Sequence, residues 1–304
     1  MHPRPAPAFR TVMITAAAAA TVGLVLTGCR SITQAGSGQA SPSQSSQSQS
    51  QSQSPQSQSP QQAVSQAAHQ AAKINSCAFT LTVHLSGLVS GTMAGSLQAR
   101  NRPSLLTEAD FSTMDISGID LPGSLQEITT NNTAYLKIAL LQAMLGKPWA
   151  AIPLSELQNN AGINVSQILQ QAQDNNPMVD GQMLAGSKNL RSVGTQTIDG
   201  VPTTHYTGTF SAEAGLAKLP SGLRAIEQAK EDLLGVKSLS FDAWIDAQHR
   251  IRKLVVTQHD RLLTLTATMQ VTRFNQPINV SVPPASQVKA ISFSDLHFLS
   301  GLHI

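Results

Sequence analysis

The most regular signal in this chain is an alternation of apolar and polar residues with period two. Leu263, Leu265, Ala267, Met269 and Val271 alternate with Thr264, Thr266, Thr268, Gln270 and Thr272. Near the other end, Phe79, Leu81, Val83 and Leu85 alternate with Ala78, Thr80, Thr82 and His84. Successive side chains of a strand point to opposite faces, so each stretch predicts a strand with one apolar face. Shorter strands are predicted over 96–100 and 105–111. Asn131-Asn132 reads as the turn between a strand ending near Thr130 and one over 133–138 that carries Leu136 and Ile138. Strands are also predicted over 190–198, 201–210, 240–246 and 250–258, with Asp199-Gly200 as a hairpin turn between the first two.

Helical spacing interrupts this pattern. Ala63, Ala67, Ala71 and Ile74 predict a first helix, and Val165, Ile168, Leu169 and Ala172 predict another behind the cap Asn164. Pro177 can open a short helix carrying Met178, Val179, Met183 and Leu184. Leu219, Leu223, Ile226, Ala229 and Leu233 form one stripe, with Arg224, Glu227, Gln228 and Glu231 largely away from it. The expected class is α+β: a long antiparallel meander that must twist and therefore curves, with helices to bury its apolar face.

The first 62 residues belong to neither pattern. Arg4 and Arg10 precede an uncharged apolar run over 11–27, too short for a lasting membrane span, and the run ends in Leu26-Thr27-Gly28-Cys29. This is the order of a bacterial lipobox. Residues 1–28 are expected to be a signal peptide, and Cys29 the site of S-diacylglycerol and N-acyl attachment. Several acyl chains on one residue anchor durably where one chain does not. The expected location is the extracytoplasmic face of the cell membrane, with membrane lipids as partners of the anchor. Residues 29–62 are dominated by Ser and Gln with no large apolar side chain after Ile32, and read as a disordered tether. Such a coil spans roughly 30 Å. Residues 63–290 then form the folded domain and 291–304 a C-terminal tail.

Charge changes the picture once the signal peptide is removed. The chain has 20 basic and 17 acidic residues and a formal charge of +3, but Arg4 and Arg10 leave with the signal peptide. A near-neutral chain with few aromatics lacks the field and the stacking surface for nucleic acid. Of the two cysteines, Cys29 is committed to lipid, so Cys77 is expected to be a buried small hydrophobe.

No motif supports catalysis. Gly-x-Ser-x-Gly, His-Glu-x-x-His and zinc-like cysteine spacings are missing, so no enzyme, metal or cofactor is expected. The run from Gly181 to Lys188 places Ser187 before Lys188, the reverse of a phosphate loop. Ser286-x-x-Lys289 lacks the companion motifs of penicillin-binding enzymes. His205 is expected to be a satisfied structural side chain rather than a base. Arg250, Arg252 and Lys253 read as a solvated hairpin edge, or as a contact for anionic lipid headgroups.

Several stretches carry a family resemblance. The sequence Gly200-Val201-Pro202-Thr203-Thr204-His205-Tyr206-Thr207-Gly208-Thr209, together with Ala243-Trp244-Ile245-Asp246 and Ile251-Arg252-Lys253-Leu254, resembles the actinobacterial LppX/LprG lipoprotein family. Gly146-Lys147-Pro148-Trp149, Pro277-Ile278-Asn279-Val280 and Pro283-Pro284 fit the same pattern. The resemblance implies a LolA/LolB-like fold, a curved antiparallel half-barrel with helices covering its concave face around a greasy cavity. It also implies movement of lipids or lipoglycans through the cell envelope.

The residues expected to line such a cavity are Leu81, Val83, Leu85, Leu136, Ile138, Met178, Met183, Leu263, Leu265, Ala267, Met269 and Val271. The methionines supply adaptable walls. A solid core made by the same side chains is the competing reading. Two functions follow. One is a tethered lipoprotein that binds acyl chains of a lipid or glycolipid and carries or presents them. The other is an envelope sensor or scaffold of the same fold that binds a protein partner and no lipid.

Overall fold

The computed structural model describes residues 58–71, 73–116, 119–120, 125–155, 187–211 and 238–292. Helix α1 (Pro60–Ala71) comes first. Its start is a capping box: the Gln62 amide donates to Ser59 Oγ and the Ser59 amide donates to Gln62 Oε1, each at 3.3 Å. Pro60 at the first helical position loses no hydrogen bond there. The helix thus begins inside the stretch read as tether and stops at Ala71, three residues before the expected Ile74. Ile74 is buried with Cys77, Ala99 and Val271.

The strands run β1 (Ser76–Gly87), β2 (Gly91–Arg100), β3 (Leu106–Ile116), β4 (Ile119–Asp120), β5 (Leu125–Thr130), β6 (Thr133–Lys137) and β7 (Trp149–Pro153). Helix α2 (Ala139–Leu145) lies between β6 and β7. The second half runs β8 (Lys188–Ile198), β9 (Val201–Ser211), β10 (Ser238–Asp246), β11 (Ile251–His259), β12 (Leu263–Phe274) and β13 (Val288–Ala290). The helices expected after Asn164 and Pro177 and over 219–233 lie outside the described residues, as do the expected signal peptide and most of the expected tether.

All thirteen strands join one sheet in the order β13-β7-β6-β5-β3-β2-β1-β12-β11-β10-β9-β8, with β4 beside β3. Two meanders, one from each half of the chain, meet at the central pair β1 and β12. These two strands align from Cys77 opposite Phe274 to Gly87 opposite Leu263. Every pairing is antiparallel except β13 on β7. The result is an open, curved sheet. The Asp199-Gly200 turn has positive φ at both residues, 48° and 76°, as a two-residue primed hairpin requires.

Register puts the apolar residues on one face. Across β10, β11 and β12, Ala243 lies opposite Leu254 and Leu254 opposite Met269. Met269 lies opposite Leu81 on β1, and Leu81 opposite Gly95 on β2. Gly95 has a local reason: a Cβ there would stand 2.3 Å from the Asp110 carbonyl oxygen and 2.8 Å from Phe111 Cδ1. Its lack of a side chain lets Phe111 pack across the strand. Helix α1 covers one end of this face, with Ala63, Val64 and Ala67 buried against Tyr206, Phe210, Phe241, Ala243, Ile245 and Ile251. The opposite face carries the threonines. Thr268 lies between Thr82 and Val255, and Thr266 between His84 and Thr257.

The other departures are local. Strand β7 was not expected, because Trp149, Ala150, Ala151 and Ile152 are all buried and show no alternation. The tail expected to start at Ile291 is docked at its first residue. The Ile291 amide donates to the Ala151 carbonyl, and its side chain is buried beside Ala150 and Ile152.

Candidate functional site

The apolar face gathers the predicted lining residues. Leu81 faces Met269, Val83 faces Ala267 and Leu85 faces Leu265, while Val271 and Leu263 stand opposite Phe79 and Gly87. Leu136 and Ile138 reach the same surface from β6, packed with Leu145, Ala150, Ile152 and Ile291. Ile138 also touches the cluster of Leu81, Val83, Leu97, Phe111 and Leu125, so the two groups are continuous. Cys29, Met178 and Met183 lie outside the described residues.

Burial varies along this surface. Leu81, Val83, Leu97, Ala109, Phe111, Leu125 and Val271 are buried. Toward β11 and β12 the same face is only partly covered: Leu254, Val256, Leu263, Leu265, Ala267 and Met269 are all of intermediate exposure. Neighbouring apolar side chains that stay half open define a surface suited to an apolar ligand.

Sequence reasoning missed two parts of this face. Met93, Leu97, Ala109, Phe111, Met114 and Leu125 extend it across β2, β3 and β5. The second is Glu127, which register places opposite Ala109 on one side and Leu136 on the other. Glu127 is only 3% exposed. Its Oε1 accepts from Thr129 Oγ1 at 2.9 Å, and its Oε2 has no partner among the described residues. Burial pushes the carboxyl above its ordinary range, and the Thr129 bond offsets this only in part.

At the β10–β11 hairpin a polar constellation replaces the expected solvated edge. The buried Asp246 accepts from the amides of Gln248 and Arg250 through Oδ1, at 3.0 and 2.9 Å. Its Oδ2 accepts from Arg250 Nε at 2.9 Å and Arg252 Nε at 2.8 Å. Both guanidiniums also sit over the Phe274 ring, at 5.4 and 5.0 Å from its centroid. Lys253 lies over Trp244 at 4.7 Å. Burial alone would raise the Asp246 pKa. The Arg250 amide, the Arg252 and Arg250 hydrogen bonds and the Arg250 charge outweigh it and hold the carboxyl below its ordinary value. These cations brace a hairpin, and a headgroup contact would have to compete with Asp246.

The remaining candidates are structural. His205 Nε2 lies 2.8 Å from Asp242 Oδ1, and the ring stacks on Trp244 at 4.3 Å. Trp244 Nε1 in turn donates to Gln196 Oε1. Cys77 is a free, buried thiol whose pKa burial pushes up to about 12. Ser286 is in a short 3-10 turn, where its carbonyl accepts from Lys147 Nζ at 2.7 Å. Lys289 sits in β13 opposite Ala150. An open cleft of about 340 Å³ lies between the start of α1 and the ends of β9 and β10, lined by Gln58, Thr195, Thr203, Tyr206, Asp246 and His249 among others. It is separate in the fold from the predicted lining residues. Among the described residues, no cluster of acidic, His and Cys side chains could hold a metal ion, and no helix is long and apolar enough to cross a membrane.

An open, curved antiparallel sheet with one apolar face is the LolA-like class of fold. Comparison with solved structures gives the same class: LprF from Mycobacterium bovis superposes with a TM-score of 0.50 at 15% identity, covering 74% of this chain and 96% of that one. The Mycobacterium tuberculosis lipoprotein LppX is 16% identical over 73% of this chain and 98% of its own, with a TM-score of 0.43. At such identities the likeness is one of fold. An uncharacterized 31.2 kDa protein encoded in the rplA–rplJ intergenic region of Streptomyces griseus is 30% identical over 142 residues. That match spans 45% of this chain and 45% of the relative, less than half of either. No family model matches the chain.

Proposed function

We propose that this protein is a lipoprotein anchored through Cys29 to the extracytoplasmic face of the membrane, where its domain binds acyl chains and carries or presents them within the envelope. The observation that carries the reading is the apolar face running from β7 to β10. It is half open at Leu254, Val256, Leu265, Ala267 and Met269. The lipobox supports the anchor, and the fold shared with LprF supports the domain type. The tether would let that face sample the bilayer to which it is attached.

Native mass spectrometry of the exported chain carrying Cys29→Ser, purified with co-extracted lipids, tests the binding. Adducts of acyl-lipid mass are expected. A lipid-free protein that added glycolipids fail to stabilise would favour the protein-scaffold reading instead. For the anchor, metabolic labelling with an alkyne fatty acid should mark the wild type and not Cys29→Ser, and a labelled variant would refute it.

A further inference from the structure

The described turns at the two ends of the sheet differ in character. At the end where β1 begins they are Asp199-Gly200, Ala247-Gln248-His249 and Asn131-Asn132, polar as exposed turns usually are. At the other end the β1–β2 turn carries Leu88 and the β11–β12 turn carries Leu262, 65% and 45% exposed. The two turns are neighbours, because the Leu88 amide donates to the Leu262 carbonyl at 2.8 Å. Both are firmly built. Gly87 has a φ of 127°, and a Cβ on it would stand 2.5 Å from that same carbonyl oxygen, so glycine lets the tip of β1 close on the other turn. Across from it, Asp260 Oδ1 accepts from the amides of Leu262 and Leu263 at 2.8 Å each. Its carboxylate is thereby folded into the turn, and Arg261 is left as the exposed charge there. Two fixed leucines side by side in water cost solubility and give the core nothing.

The half-open part of the apolar face runs out to this rim. Leu263 lies opposite Gly87 and Leu265 opposite Leu85, and all three leucines are of intermediate exposure. The chain enters the domain at the other end, where Gln58 shares a cleft with Asp246 and His249. Fully extended, the stretch from Cys29 to Gln58 reaches at most about 100 Å. The 12 residues of β1 span only about 40 Å. A domain held at Cys29 can therefore rest either end on its own bilayer, and the rim leucines select this one. We infer that the β1–β2 and β11–β12 turns form a membrane-docking edge, where Leu88 and Leu262 enter the interface of a phospholipid bilayer and Arg261 lies among its anionic headgroups. The inference goes beyond the acyl-binding reading, which concerns what the face holds and not where the domain rests.

Flotation with vesicles of phosphatidylcholine and phosphatidylglycerol in equal parts tests this on the exported chain carrying Cys29→Ser, where no acyl anchor holds the protein. Whatever the first 57 residues contribute is common to that parent and its variants. Leu88→Ser and Leu262→Ser should each lower the partition coefficient about tenfold, the scale of one leucine leaving an apolar environment, and the double variant about a hundredfold. Leu88→Phe with Leu262→Phe should float at least as well as the parent. Val193→Ser, which removes a similarly exposed apolar side chain from β8, should change nothing. Arg261→Gln should weaken binding to these vesicles and not to phosphatidylcholine alone. Because both leucines are exposed, the serine variants should unfold at the parent's temperature. They should also still take up a monomeric acyl probe, a pyrene-labelled fatty acid, from solution. Unchanged flotation of the folded double serine variant overturns the docking edge. So does a parent that ignores vesicles, whether or not it dimerises through these leucines. A parent that floats by its leucines but takes up no acyl probe overturns the acyl-binding reading and leaves the edge standing.

Discussion

Replacing Asp246 by asparagine separates the two jobs its carboxylate performs. Oδ1 holds the amides of Gln248 and Arg250 and so shapes the β10–β11 turn, while Oδ2 receives Nε of both Arg250 and Arg252. Asparagine can keep the first job, but it turns an amide NH2 toward two cationic donors. Two charge-assisted hydrogen bonds are lost, worth about 1.5–3 kcal/mol each in general. The Arg250 and Arg252 side chains are 30% and 15% exposed and recover some hydration, so the expected loss is at the low end, about 3 kcal/mol. Alanine removes the amide acceptor as well and should cost about 5 kcal/mol. Urea unfolding followed by tryptophan fluorescence is the assay, because Trp244 lies beside Asp246 on β10 and reports on the same end of the sheet. In thermal unfolding the asparagine change corresponds to roughly 6–12 °C for a domain of this size. The folded carboxyl titrates below its ordinary 3.8, so its contribution is complete above that value and disappears as the pH falls through the lowered one. The gap between wild type and Asp246→Asn should therefore close on acidification. A variant within about 1 kcal/mol of wild type at pH 7, or a gap that widens in acid, would refute the reasoning.

Three further outcomes are expected. Leu265→Arg places a charge on the half-open part of the apolar face opposite Leu85, and should abolish uptake of the acyl probe while circular dichroism shows an intact sheet. Unchanged uptake would mean the ligand lies elsewhere. Gly95→Val must push against the Asp110 carbonyl and the Phe111 ring, and should cost about 3 kcal/mol in denaturant unfolding; a cost below 1 kcal/mol would show that the strands can slide apart there. Glu127 titrates above its ordinary 4.5 in the folded state, so it gives relative stability below that value and loses it as the pH rises through the raised one. Glu127→Gln should therefore gain on wild type between pH 4.5 and neutrality in paired melts, and parallel curves would contradict this.

Much of the sheet was legible because a half-buried strand writes its environment as period two. Strands β1 and β12 alternate cleanly, and the Asp199-Gly200 turn is specified by its own chemistry. Strand β7 left no such trace because it is covered on both faces. The start of α1 was available in Ser59-Pro60-Gln61-Gln62, a cap followed by a proline, but these residues share the composition of the tether and were read with it. Glu127 was hidden for a different reason. In Leu125-Gln126-Glu127-Ile128-Thr129-Thr130 each face carries one large apolar residue, and both Glu127 and Ile128 prove to be buried. Alternation alone could not say which belonged to the apolar face. The Asp246 cluster depends on a hairpin that bends Arg250 and Arg252 back onto one carboxylate, a geometry invisible in the spacing.

The seam between β1 and β12 has a consequence for how the protein is made. Ser76 Oγ donates to the carbonyl of Gln276, 200 residues later, so the middle of the sheet is stitched from nearly the earliest and nearly the latest parts of the domain to be synthesised. Until the last third has been made, the first meander ends in a bare β1 edge with no neighbour, and closing so large a loop is slow. Completion of the sheet therefore waits on the arrival of β12, whatever the order in which the flanking hairpins form.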